Sequence, residues 1–147
     1  MFDALEKYST VYDGPHATLY DCGAEVPHLA IGRWKGFFRL SDSKFIDDMW
    51  ESIRVMKELG TIAIISDHSE LKVVSQDVLD WLHDNWYPNA QKNGLRVEAS
   101  LAAESPTADL SLSRMLDESL TGEVKTPRFV DFDSAYAFCV EFLGKLE

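Results

Sequence analysis

The stretch Thr61–Gly94 decides the fold: TIAIISD, then HSELKVV, then SQDVLDWLHDNWYPNAQKNG. Thr61 to Ser66 is an unbroken apolar, β-branched run, the pattern of a strand covered on both faces. Asp67 ends it with a charge. Ser75 then stands where a helix takes its N-cap, and Asp77 puts negative charge in the first turn, where the helix dipole favours it. Gly94 closes that helix at a position suited to left-handed backbone. Strand, polar loop and helix follow in order, which is half of a parallel crossover.

The flanking chain repeats that grammar. Phe45, Ile46, Met49, Trp50, Ile53, Met56 and Leu59 recur at three- and four-residue steps and predict an amphipathic helix, with Asp47, Asp48, Glu51, Arg54 and Lys57 mainly on its polar side. KELG leads from it into TIAIIS, as QKNG leads into LRVEAS. Two such joins predict parallel strands at Pro27, Thr61 and Leu95, linked by right-handed crossovers.

Upstream, His16–Asp21 and Pro27–Trp34 are short apolar segments separated by CGAEV, the spacing of a hairpin with Gly23 in its turn. Met1–Gly14 is a poorly specified lead-in, in which Leu5, Tyr8 and Val11 fit one side of a short helix. Pro88 removes a backbone donor and predicts a kink or break near Trp86–Tyr87. Leu95–Leu101 alternates Leu, Val, Ala and Leu with Arg, Glu and Ser, which predicts one wet face and helices on one side of the sheet there. Glu104–Thr126 reads as the least ordered part, with a short helix through Leu112 and Met115. Arg128–Phe132 reads as a last strand and Ala135–Leu146 as a final helix. The fold class is α/β: one domain over 147 residues, a mixed sheet of four to five strands with an N-terminal hairpin, and helices mainly on one face.

Composition narrows the partners. With 14 basic and 25 acidic side chains the formal net charge is −11, a surface that repels phosphate backbones and anionic headgroups. Nucleic acid and membrane are therefore disfavoured, and no apolar run approaches a membrane span. Cys22 and Cys139 are far apart and form no metal or redox motif. Two isolated thiols and an acidic N-terminus without a secretion pattern point to the cytoplasm.

The chemistry-bearing residues are sparse. Asp67, His68, Ser69 and Glu70 place acid, base and nucleophile in one run, but triads converge from separate segments and no nucleophile elbow surrounds Ser69. The run reads as a solvated loop at the carboxyl end of the central strand, the end at which open α/β sheets bind ligands. His16, His28, His68 and His83 lack ligand spacing, so no metal, no cofactor and no catalytic residue is assigned. Trp34, Trp81, Trp86 and Tyr87 are an unusual aromatic set, with Trp81 at the margin of the Val78, Leu82, Trp86 stripe.

Strand–turn–strand with WKG, the amphipathic helix, the buried strand ending in Asp and the segment SQDVLDWLHDNWYPNAQKNG together resemble a family of small bacterial STAS/SpoIIAA-like proteins. The resemblance spans roughly Tyr12 to Leu146, and Trp81, Trp86, Pro88, Ala90 and Gly94 after Ser75 are its most specific residues. It implies protein binding or regulation rather than catalysis. Where anti-sigma antagonists of that family carry an acidic residue and two serines, this chain has Val74, Ser75, Gln76 and Asp77, with a single serine. Ser75 is thus a candidate phosphoacceptor as well as an N-cap. Trp34, Lys35, Asp67, His68, Trp81 and Tyr87 form the candidate interaction surface, for a protein partner or a second copy of the chain. The alternative is a SEC14-like binder of a small ligand or lipid, which requires an apolar cavity.

Overall fold

A computed structural model describes residues 7–146. It is an α/β fold built on one six-stranded mixed sheet in the order β1-β2-β3-β4-β5-β6. The strands are β1 (Ser9–Asp13), β2 (Ala17–Asp21), β3 (Leu29–Trp34), β4 (Ala63–Asp67), β5 (Val97–Leu101) and β6 (Arg128–Phe129). β1, β2 and β3 pair antiparallel, whereas β3, β4, β5 and β6 are parallel. The apolar run of the opening stretch is the central β4, buried at every position between β3 and β5. Removing Ile64 and Ile65 from water contributes about 2 kcal/mol each.

Among the described residues four helices cover the sheet: α1 (Ser43–Leu59), α2 (Gln76–Lys92, in three segments), α3 (Pro106–Met115) and α4 (Phe132–Gly144). Phe45 and Met49 of α1, Val78 and Leu82 of α2 and Leu112 of α3 share one core with Ala30 and Ile64 of the sheet. Ala135, Cys139 and Leu143 of α4 share the other with Ile31, Ile65 and Ala99. The strand order explains this division. Crossovers β3-α1-β4, β4-α2-β5 and β5-α3-β6 all step the same way across the sheet, and connections of one hand then deposit their helices on one face. The opposite face is left for the chain after β6. There is accordingly no switch of winding direction along β3–β6, and the crevice that such a switch opens in doubly wound sheets does not form.

Several expectations change in detail. The sheet has six strands, not four or five. Ser9–Asp13 of the lead-in is an edge strand, because its β-branched and aromatic STVY run pairs with β2 and Tyr12 reaches across to Asp48; Leu5 lies outside the described residues. β5 has no wet face: Val97, Ala99 and Leu101 meet α4, while Glu98 and Ser100 are buried in the sheet. Asp48 is likewise interior, accepting hydrogen bonds from the Tyr12 hydroxyl and, at 2.7 Å, the His16 backbone N–H.

Pro88 does not break its helix. Gln76–Trp81 runs into a π turn, Leu82–Trp86, and then into Tyr87–Lys92. The Tyr87 N–H reaches back to the Leu82 carbonyl, and this widened turn accommodates a residue with no donor. The extra residue also rotates the register, so that Leu82, Trp86, Tyr87 and Ala90 all face inward. A regular helix would have turned one of the adjacent aromatics toward solvent.

The helix ends separate two kinds of cap. Asp42 accepts from the Lys44 N–H before α1, and Gly60 closes that helix at φ 65°, the left-handed geometry glycine adopts freely. Ser75 occupies the N-cap position of α2 without capping, its hydroxyl donating to the Asp77 carboxylate instead. Asp42→Ala is therefore expected to cost about 1 kcal/mol and Ser75→Ala less than about 0.5 kcal/mol in urea unfolding. Equal losses would mean that Ser75 caps after all.

Candidate functional site

Polar side chains converge on the helix-covered face that carries α1 and α2, between the start of β5 and the ends of β3 and β4. β3 contributes Trp34, β4 contributes Ser66, and β5 contributes Glu98 from positions that face the helices. The Trp34 indole N–H donates to the Ser66 hydroxyl at 2.9 Å, and that hydroxyl donates to Glu98 Oε2 at 2.7 Å. Tyr87, turned inward by the π turn, donates its hydroxyl to Glu98 Oε1 at 2.6 Å. The indole N–H can only donate, so it sets the direction of the chain, and both of its hydroxyl arms end on the carboxyl. Beside it the Trp86 indole donates to Ser52, which donates to the Met49 carbonyl.

Glu98 is 2% exposed. No cation pairs with it among the described residues, and its negative charge rests on two O–H donors alone. Burial raises its pKa, and the hydrogen bonds from Tyr87 and Ser66 pull partly the other way. Burial, then the Glu98 carboxyl, raise the Tyr87 phenol well above its usual range.

His68, 1% exposed, follows β4, and its Nδ1 lies 2.8 Å from the Ser100 hydroxyl. Burial pushes the imidazole down to about 3. Trp34, His68, Trp86, Tyr87, Glu98 and Met115 line a cavity of about 20 Å³. That is room for one water molecule; small-molecule sites run to roughly 300–1,000 Å³. A second depression, about 210 Å³, lies against α4 over Phe138, Glu141, Phe142 and Lys145.

The run Asp67–Glu70 does not form a triad. The Ser69 backbone N–H donates to Asp67 Oδ1, the Ser69 hydroxyl is buried without a hydrogen-bond partner, and His68 turns toward Ser100. Nor is the run wholly solvated: Asp67 and His68 are interior, and Asp67 Oδ2 lies 3.6 Å from Arg33 Nε, whose guanidinium also bonds Glu70 at 2.7 Å.

The residues named for an interaction surface therefore separate. Trp34, Asp67, His68 and Tyr87 are buried and present no face to a partner, because they belong to β3, β4 and the inward side of α2. Lys35 is partly exposed and bonds Thr18. Trp81 is half-buried, edge-on to Trp50. Ser75 is exposed at the start of α2. Phe37, Leu40 and Val73, within the loops Lys35–Leu40 and Asp67–Val74 expected to meet a partner, are exposed, and so is Trp50, which the helical spacing places on the apolar side of α1.

Phe37 and Val73 stand on loops that continue the β3–β4 pairing. Gly36 bridges to Leu71, its N–H donating to the Glu70 carbonyl at 3.0 Å and its carbonyl accepting from Lys72 at 3.1 Å. Gly36 holds φ 79°, which a side chain would strain. Among the described residues no group of three His, Cys, Asp or Glu side chains could hold a metal ion, and no helix is long and apolar enough to cross a membrane. The chain matches no protein-family model and no curated protein.

Proposed function

We propose that this chain is a non-catalytic, STAS-like protein-interaction module that presents the loops after β3 and β4 to a partner. The observation that carries the reading is the Gly36–Leu71 bridge, which ties together the two loops that expose Phe37, 54% exposed, and Val73, 43% exposed. Large apolar side chains on loops tethered by backbone hydrogen bonds cost less ordering entropy on binding and serve as anchors. The hairpin followed by parallel crossovers accords with the family resemblance, and exposed Ser75 beside these loops is where phosphorylation would act. A phosphate there would stand beside the Asp77 carboxylate, so modification would disturb the start of α2 by like-charge repulsion while adding negative charge to this face. The SEC14-like reading has no support from an interior cavity of about 20 Å³.

Photo-reactive benzoylphenylalanine placed at Phe37, at Val73 and, as a control, at Lys92 at the far end of α2 tests the reading in cells. Discrete covalent adducts are expected from the first two positions and none from the third. Absence of adducts at Phe37 and Val73 would remove the proposal.

A further inference from the structure

Deepening that reading, we infer that the face around Trp50 of α1 and Trp81 of α2 is the part of the docking surface that selects a cationic polypeptide segment with apolar side chains. Its centre is aromatic. Trp50, 40% exposed, meets Trp81 edge-on with ring centroids 5.6 Å apart. Trp81 lies 5.9 Å from Phe45, which stacks on Phe38 at 4.5 Å. Phe38, buried with Phe45 beneath this pair, follows Phe37 in the loop after β3 and so ties the aromatic set to that loop.

The charges around the two indoles identify the occupant. On α2, Asp77 and Asp84 stand four residues before and three after Trp81, the spacing that puts them on its side of the helix, and Asp80 is adjacent. All three are exposed, and no Lys or Arg occurs between Ser75 and Lys92. On α1, exposed Asp47 stands three residues before Trp50. The nearest cation there, Arg54, is engaged by Glu51 and by Glu58. An exposed indole flanked by carboxylates attracts a guanidinium or ammonium twice, through the ring face and through charge. An anionic segment would meet like charge from both helices. A second copy of this chain carries the same net charge of −11, which opposes self-docking here.

The intact chain is titrated with a fluorescein-labelled amphipathic peptide of Leu and Arg at helical spacing, and with the same peptide carrying Glu for Arg. Saturable anisotropy is expected with the Arg peptide alone, with affinity falling about tenfold or more as salt is raised to about 0.5 M. Trp50→Ala and the double variant Asp77→Asn/Asp84→Asn are each expected to lose about tenfold in affinity. The Asn substitutions are isosteric on an exposed face, so they answer the question even if Trp50→Ala perturbs folding. No binding of the Arg peptide, equal binding of both peptides, or undiminished binding by the Asn variant overturns the inference. So does light scattering that shows a dimer abolished by Trp50→Ala. If such a result coincides with adducts retained at Phe37 and Val73, the interaction module stands and only its cationic partner falls. Loss of the adducts removes both.

Discussion

Glu98→Ala is expected to destabilise the fold by about 3–5 kcal/mol, among the largest effects of any single substitution outside the apolar core. The change removes the acceptor on which the Ser66 and Tyr87 hydroxyls converge, leaving the Tyr87 hydroxyl buried and unpaired and the Ser66 hydroxyl with its Trp34 donor but no acceptor, and opens a void beside a cavity already about 20 Å³. Glu98→Gln separates charge from hydrogen bonding. Its carbonyl can still accept from Ser66 while its amide donates to the Tyr87 oxygen, and the displaced phenol proton can reach a water in the cavity. That variant is expected to lose only about 1 kcal/mol. Combining Tyr87→Phe with Glu98→Ala should cost about 1–2 kcal/mol less than the two losses added, since each removes the other's partner. Strict additivity in urea unfolding would mean that the pair is not coupled.

The same carboxyl has a pH signature of definite sign. Its folded pKa is raised above the ordinary 4.5, so the native chain holds a proton where the unfolded chain has released it. Its contribution is complete below pH 4.5 and declines as pH rises through the folded pKa. Stability measured against Glu98→Gln should therefore favour the native residue at acid pH and drift toward the variant as pH increases.

How far the sequence could carry these conclusions depended on what each pattern encodes. The unbroken TIAIIS run announced a doubly covered strand, and the glycine-ended helices announced parallel crossovers, because both signals are local. VEASL failed because alternation reports polarity, not solvent: Glu98 and Ser100 are polar residues buried with partners from β4, α2 and the loop after β4. Those partners lie 32, 11 and 32 residues away, beyond any periodicity. Pro88 was visible as a helix disruption, but whether the chain breaks or widens depends on whether Trp86 and Tyr87 can both be packed. The loops Lys35–Leu40 and Asp67–Val74 were legible as a surface for a partner, but not which of their side chains are exposed. What ties the two loops is the Gly36–Leu71 bridge, which joins segments 35 residues apart.

Acid should expose the second large term, at His68. Its imidazole is held down at about 3, first by burial and to a lesser degree by Arg128, against pulls from the Leu101 carbonyl and Asp109. The unfolded chain takes up this proton near pH 6.5 and the native chain only near 3, so a contribution complete above 6.5 is lost as pH falls. The loss is about 1.4 kcal/mol per pH unit, about 3 kcal/mol by pH 4. His68→Asn keeps a polar group where Nδ1 meets Ser100 but cannot titrate. Urea midpoints between pH 7 and pH 4 should fall more steeply for the native chain than for His68→Asn, and the difference between them cancels the carboxylates common to both. Parallel curves would show that His68 is protonated in the fold or exposed by local opening. Glu98 acts with the opposite sign, so its gain as pH falls through its raised pKa to 4.5 offsets part of the His68 loss. Repeating the comparison in Glu98→Gln should steepen the acid limb of the His68 chain, which links the two buried groups through pH although neither touches the other.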